Sequence, residues 1–109
     1  MTFDEYQEQA QTTALYPGKG QNITYPVLGL NGEAGEVAEK LKKILRDKNG
    51  EFTQKDKFDI VMELGDVLWY LSDIALEMGF SLENVAILNI QKLSSRKDRN
   101  KIHGNGDFR

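Results

Sequence analysis

Two short motifs of the sequence each carry a pair of carboxylates. Glu33 and Glu36 are three residues apart, and Glu63 and Asp66 repeat that spacing after 26 intervening residues. At about 100° per residue, side chains three apart lie on one face of a helix. Two such helices side by side can therefore bring four carboxylates together. Crowded carboxylates repel one another and lose solvation, so this arrangement needs a cation.

The ligand types limit which cation this site would hold. The sequence has no cysteine and one histidine, His103, so the candidate ligands are all oxygens. Such a set indicates a hard ion, which in a cell means Mg²⁺, or Mn²⁺ in its place. Three glycines, Gly32, Gly35 and Gly65, stand beside the acids. Each costs a helix about 1 kcal/mol relative to alanine, a loss that close approach of a backbone or ligand would explain.

A basic row follows further along the chain. Asn89, Lys92 and Arg96 are spaced three and then four residues apart, so they project from one side of a helix. Carboxylates that hold a metal opposite a Lys/Arg row are the arrangement that phosphoryl chemistry requires. Both groups also have structural interpretations. The basic row could be a helix end that complements the helix dipole. The acids could form a face exposed to solvent, with weak ion pairs such as Glu36 with Lys40.

Helix signals account for most of the sequence, and the alternation typical of strands is nearly absent. We therefore predict an all-α protein of four helices. The first begins after Thr2 and ends by Pro17-Gly18, the second runs from Tyr25-Pro26 to about Asp47, the third from Thr53 to Gly79, and the fourth from Ser81 into Arg96–Lys101. Residues 98–109 form a basic, glycine-rich tail that is either mobile or held by something outside itself.

The third helix has two apolar sides. One is its main apolar arc, and the other consists of Met62, Trp69 and Leu76, spaced seven apart. A surface helix needs one apolar face, so a second one predicts burial on both sides. With 109 residues the chain is expected to form a single domain over residues 1–109 with a modest core, which homo-oligomerisation would complete.

Composition excludes several classes of protein. With 39% hydrophobic and 28% charged residues, the chain is typical of a globular protein. A net charge of −3 lacks the basic surface that nucleic-acid binding needs. The sequence has no apolar stretch of membrane-spanning length, and its first ten residues are acidic, unlike a secretory signal. We therefore expect a cytoplasmic protein with no nucleic-acid or membrane partner.

The motifs resemble those of the MazG-like nucleoside triphosphate pyrophosphohydrolases. This all-α superfamily also includes dimeric dUTPases, dCTP pyrophosphatases and phosphoribosyl-ATP pyrophosphohydrolase. Its signature, E-x-x-E followed by E-x-x-D, stands here as Glu33-x-x-Glu36 and Glu63-x-x-Asp66. The flanking residues 32–37 and 63–71 resemble the family more specifically than the acids alone, and Asn89-x-x-Lys92-x-x-x-Arg96 is similar to its phosphate-contacting row.

The resemblance implies hydrolysis between the α and β phosphates, which releases a nucleoside monophosphate and pyrophosphate. By similarity, Mg²⁺ would be bound by the four carboxylates, and Glu33 or Glu36 would orient the attacking water. The triphosphate would be held by Asn89, Lys92 and Arg96. The base would lie near the first helix and the Trp69 region, with Trp69 and Tyr6 as candidate contacts. Family members are dimers or dimers of dimers with sites at shared interfaces, so a homodimer or homotetramer is expected.

Other functions remain open from the sequence. Within the same superfamily, the chain could hydrolyse phosphoribosyl-ATP or be narrowly specific for dUTP or dCTP. A helical interaction module without catalysis would use the acids as a solvated face. A di-iron carboxylate bundle is disfavoured, because that class needs Glu-x-x-His motifs and no histidine precedes His103.

Overall fold

The computed structural model covers residues 1–109 and contains four α-helices and no strand, which confirms the all-α prediction. The helices are α1 (Phe3–Gln11), α2 (Thr24–Lys48), α3 (Gln54–Glu77) and α4 (Leu82–Asp98). None of them combines the length and the apolarity needed to cross a membrane.

The helix starts follow the capping residues identified in the sequence. The Thr2 hydroxyl accepts a hydrogen bond from the Glu5 backbone N–H, and Thr53 and Asp56 form a reciprocal capping box at the start of α3. Ser81 caps α4 in the same way with Asn84. Side-chain caps of this kind satisfy backbone groups that the first helical turn leaves without partners.

Two antiparallel helices, α2 and α3, form the main packing unit. Between them, Asn49 and Gly50 adopt φ values of 54° and 79°, the left-handed conformation that ends α2. The ion pairs Lys40–Glu63 and Lys48–Asp56 link the two helices and show that they are antiparallel, because the position on α3 decreases as the position on α2 increases. Helix α1 packs on α3 and α4, whereas α4 contacts α1 and α3 but not α2.

The core of one chain is small. Only 11 of the 109 residues are buried, and many large apolar side chains remain exposed. The seam predicted to be buried on the second side of α3 is largely open, since Met62 is 58% and Leu76 is 38% exposed. Within one chain this seam is only partly covered, because the segment after α1 reaches half-buried Trp69 through Thr13 and leaves Met62 exposed.

A second exposed apolar region lies between α3 and α4. It is a groove of about 450 Å³, lined by Leu71, Ile74, Ala75, Met78, Phe80, Val85, Leu88, Asn89 and Lys92. Leu88 is 54% exposed there. The prediction that another copy completes the core is consistent with this surface and remains a prediction.

The tail is non-helical, as expected, but it is held by the chain itself. The Arg109 guanidinium donates to the carbonyl oxygens of Lys101, Ile102 and Gly106. The Arg96 side chain donates to the carbonyl oxygens of Gly106 and Asp107. Arg96 lies on α4 and outside the tail, so the tail is held from outside itself, which is one of the two expected arrangements; Arg109 adds contacts within the tail.

Candidate active site

Three carboxylates from α2 and α3 form a compact cluster. Glu33, Glu63 and Asp66 each offer an oxygen that lies within 4.8 Å of the others. Glu33 and Glu63 are half-buried and Asp66 is exposed. The cluster exists because Glu33 lies on the side of α2 that packs on α3, where the E-x-x-D spacing turns Glu63 and Asp66 towards it.

The fourth predicted carboxylate lies apart from this cluster. Glu36 is exposed and one helical turn from Glu33, and it is not among the oxygens that converge. The structure thus brings together three of the four acids identified in the sequence. The spacing alone suggested four, because it fixes the face of a helix and not the distance to the neighbouring helix.

The three carboxylates of the cluster repel one another. Partial burial raises the pKa of Glu33, and the nearby charges of Asp66 and Glu63 raise it further. One cation of the chain offsets this charge, since Lys40 Nζ lies 3.3 Å from Glu63 Oε1. Three carboxylates against one ammonium leave an excess of negative charge. A divalent cation with a preference for oxygen ligands fits this donor set.

Beside the cluster is an open cavity of about 390 Å³, lined by Thr13, Glu33, Asp66, Trp69 and Tyr70. The Tyr70 ring packs directly on the backbone of α2, where a Cβ at Gly29 would lie 2.2 Å from Tyr70 Cε1. Gly29 therefore makes room for the ring that forms one wall of the cavity. We did not identify this glycine from the sequence, although a glycine inside a predicted helix is the signal that points to it.

The two predicted base contacts lie in different places. Trp69 lines the cavity beside the cluster, and its Nε1 donates a hydrogen bond to Thr13 Oγ1 at 2.9 Å. Tyr6 lines a separate hollow near the N-terminus. Burial raises the pKa of Tyr6, and the charges of Asp66 and Asp73 add to this effect.

The predicted phosphate row contacts the tail instead of the carboxylates. Lys92 Nζ lies 3.0 Å from Asp107 Oδ1, and Arg96 Nη2 lies 3.3 Å from the same oxygen. Arg96 is buried and held by the tail, whereas Lys92 is half-buried and, like Asn89, lines the apolar groove. None of the three makes a hydrogen bond or ion pair with the cluster within the chain.

The three glycines beside the acids do not serve close helix packing within the chain. A Cβ at Gly32, Gly35 or Gly65 would meet no atom within 4 Å. Of the two expected causes, a close backbone and a close ligand, the first is absent within the chain, where the tight contact lies at Gly29 instead. These glycines leave open space beside the cluster.

A polar network next to this cavity has no signal in the sequence that predicts it. Asp73 lies two helical turns after Asp66 on the same face of α3. It is buried and accepts a hydrogen bond from Gln11. Glu77 accepts from the Tyr16 hydroxyl and from the Gly20 backbone N–H. These contacts fix the segment after α1 onto α3.

An all-α fold with clustered carboxylates on a helical hairpin defines a class of protein that can hold a divalent cation against a phosphate. Comparison with known proteins agrees with this class, since residues 21–100 match the MazG nucleotide pyrophosphohydrolase domain. The chain belongs to the MazG family. It is 48% identical to the Gene 37 protein of Mycobacterium phage L5 in an alignment of 114 positions that covers 100% of both chains. No solved structure gives a significant match.

Proposed function

We propose that the chain hydrolyses nucleoside and deoxynucleoside triphosphates between the α and β phosphates, giving a nucleoside monophosphate and pyrophosphate. The observation that carries this proposal is the convergence of Glu33, Glu63 and Asp66 on α2 and α3 within a MazG domain. Their oxygens suit Mg²⁺, with Mn²⁺ able to substitute. Glu36, one turn away, would complete the set of four acids.

Each residue of the cluster has a specific task in this proposal. Glu33, Glu63 and Asp66 would hold Mg²⁺, which when bound neutralises phosphate charge and polarises the phosphorus–oxygen bond. Either Glu33 or Glu36 orients the attacking water and accepts its proton. Glu36 suits this task because it is exposed and lies outside the convergent oxygens. Trp69 and Tyr70, which line the cavity, would pack against the nucleoside.

In this proposal Lys92 contacts the phosphates directly, whereas Arg96 acts through the tail. Lys92 is half-buried, and its ammonium has donors beyond the one used by Asp107. Arg96 is engaged by Gly106 and Asp107, so its contribution is to hold the tail beside Lys92. Asn89 lies one turn before Lys92 on the same side of α4.

The proposal includes a homodimer or homotetramer. Helix α4 does not contact α2, so the basic row and Glu33 lie on elements that a single chain keeps apart. The groove around Leu88 exposes apolar side chains to solvent, and a second copy of the chain would bury them. Such an assembly can place α4 of one copy near the carboxylates of another.

Product analysis tests the activity. Ribonucleoside and deoxyribonucleoside triphosphates, and phosphoribosyl-ATP, are incubated with and without Mg²⁺, and pyrophosphate is resolved from orthophosphate. We expect pyrophosphate and monophosphate in equal amounts, only with the metal. Glu63→Gln should abolish turnover, whereas Glu39→Gln, which removes a carboxylate of α2 that is outside the cluster and paired with Lys42, should not. Turnover unchanged in Glu63→Gln would refute the site assignment, and no turnover on any nucleotide would refute the activity.

A further inference from the structure

One lysine of α2 contacts the carboxylate cluster. Lys40 Nζ lies 3.3 Å from Glu63 Oε1, across the interface between α2 and α3. Glu36, four residues before Lys40, has the spacing for an ion pair along α2, yet Lys40 pairs with Glu63 instead. The Lys40 side chain is 34% exposed. Its ammonium group is therefore accessible to a ligand at the edge of the proposed metal site.

The Lys40 ammonium and a divalent ion at the cluster would use the same carboxylate. Glu63 is the partner of Lys40 and also one of the three convergent acids. Two cations a few ångströms apart repel each other. Because the lysine stem is long and flexible, the ammonium can move away from Glu63 when an ion binds there. The displaced ammonium then has to find another anion within its reach.

The position of Lys40 indicates which anion this is. Lys40 lines a cavity of about 160 Å³ between α2 and α3, whose other lining residues are Lys43, Ile44, Asp47, Lys48, Asp56 and Asp59. Asp59 lies about one helical turn before Glu63 on α3. The cavity that Trp69 lines includes Asp66, about one turn after Glu63. The two cavities therefore lie on opposite sides of Glu63 along α3.

The aspartates of the Lys40 cavity are neutralised by bases of the chain. Each has an ion-pair partner: Asp47 with Arg46, Asp56 with Lys48 and Asp59 with Lys55. The other two lining cations, Lys40 and Lys43, pair with glutamates that do not line the cavity. Once a metal ion engages Glu63, Lys40 is therefore the cation beside the cluster that is left to meet an anion.

We propose that Lys40 binds the β and γ phosphates of the substrate, the part that leaves as pyrophosphate. This inference rests on the proposed function and gives the substrate a direction along α3, with the nucleoside at Trp69 and the pyrophosphate end at Lys40. Lys92, the other lysine assigned to the phosphates, lies on α4, which does not contact α2. Lys40 is thus the phosphate contact that the hairpin itself supplies, and Glu63 holds its ammonium until the metal binds.

Calorimetric titration with Mg²⁺ alone tests the exchange at Glu63. Lys40→Met and Lys40→Gln remove the charge, so both should bind Mg²⁺ about tenfold more tightly than wild type. Lys40→Arg keeps the charge and should bind Mg²⁺ as wild type does. Lys48→Met, which breaks another ion pair between α2 and α3, is the matched control and should leave the Mg²⁺ affinity unchanged. Equal or weaker Mg²⁺ binding by the folded, uncharged Lys40 variants would overturn the exchange.

Binding of pyrophosphate tests the phosphate contact. With Mg²⁺ in excess, wild-type protein and Lys48→Met should bind pyrophosphate about tenfold more tightly than Lys40→Met, because a hydrogen bond to a charged group is lost. A deoxynucleoside monophosphate lacks the leaving phosphates and should bind all three proteins equally. Equal pyrophosphate affinities, or an equal loss of affinity for the monophosphate, would contradict the assignment.

These binding measurements separate the inference from the activity, because none of them requires turnover. Weaker pyrophosphate binding by Lys40→Met, without hydrolysis of any triphosphate by wild type, would support Lys40 as a phosphate contact and refute the proposed function. Hydrolysis by wild type, with equal pyrophosphate binding by wild type and Lys40→Met, would support the function and refute the role of Lys40.

Discussion

Replacing Gly29 by alanine tests how the wall of the proposed catalytic cavity is built. Gly29 lies inside α2, and a Cβ placed there would lie 2.2, 2.3 and 2.6 Å from three carbon atoms of the Tyr70 ring. Non-bonded carbon atoms are favourable at about 3.5–4.0 Å, so the ring has to move by more than about 1 Å. Tyr70 packs edge-on against Trp69, with ring centroids 5.0 Å apart, and this limits its freedom to move.

Two opposing effects set the size of the change. Removing a glycine from a helix interior stabilises the helix by about 1 kcal/mol. Overpacking costs about 1–3 kcal/mol. The variant Gly29→Ala should therefore be between unchanged and about 2 kcal/mol less stable. Gly35→Ala lies on the same helix with no atom within 4 Å of its new Cβ, so it should gain about 1 kcal/mol.

Thermal unfolding of the two variants provides the assay. For a domain of this size each kcal/mol shifts Tm by about 4–8 °C, so Gly29→Ala should melt at least about 4 °C below Gly35→Ala. In a Tyr70→Ala background the ring is absent, and Gly29→Ala should then become stabilising. Equal gains in Tm for Gly29→Ala and Gly35→Ala would refute the packing argument.

The remaining predictions concern the metal, pH and assembly. Mg²⁺ should raise the Tm of wild-type protein and of Glu39→Gln but not of Glu33→Gln, and an equal rise in all three would place the ion elsewhere. The ion pair with Lys48 and the Thr53 backbone N–H lower the pKa of Asp56 from 3.8 to about 2. Asp56 therefore stabilises the fold above about pH 4, and the stability deficit of Asp56→Asn should shrink as the pH falls from about 4 through about 2; a constant deficit would contradict this. Leu88→Asp should lower the mass in solution measured by light scattering, and an unchanged mass would show that the groove is not the contact between copies.

Local signals in the sequence were sufficient to predict the helices. Thr2, Thr53 and Ser81 cap their helices through neighbours three residues away, and these contacts need no knowledge of the rest of the chain. Three of the four carboxylates converge because helical spacing fixes the face on which they lie; their role stays a prediction.

Tertiary contacts explain what the sequence did not reveal. The engagement of Arg96 by Asp107 depends on a tail that folds back over eleven residues, and no spacing rule predicts it. Gly29 is required because of a ring 41 residues further along the chain, and its neighbour Gly32 faces open space. Helical spacing does not single out Asp73, because only its burial and its single hydrogen-bond partner distinguish it from the other acids of α3.

The yield of pyrophosphate from a deoxynucleoside triphosphate, measured in paired reactions with Mg²⁺ and with a chelator, tests the central claim most directly. Wild-type protein and Glu39→Gln should release one pyrophosphate per monophosphate with the metal and none with the chelator, whereas Glu63→Gln should release none in either case. Release of orthophosphate in place of pyrophosphate would contradict cleavage between the α and β phosphates. Equal yields from Glu63→Gln and wild type would contradict the claim that the carboxylates of α2 and α3 form the catalytic site.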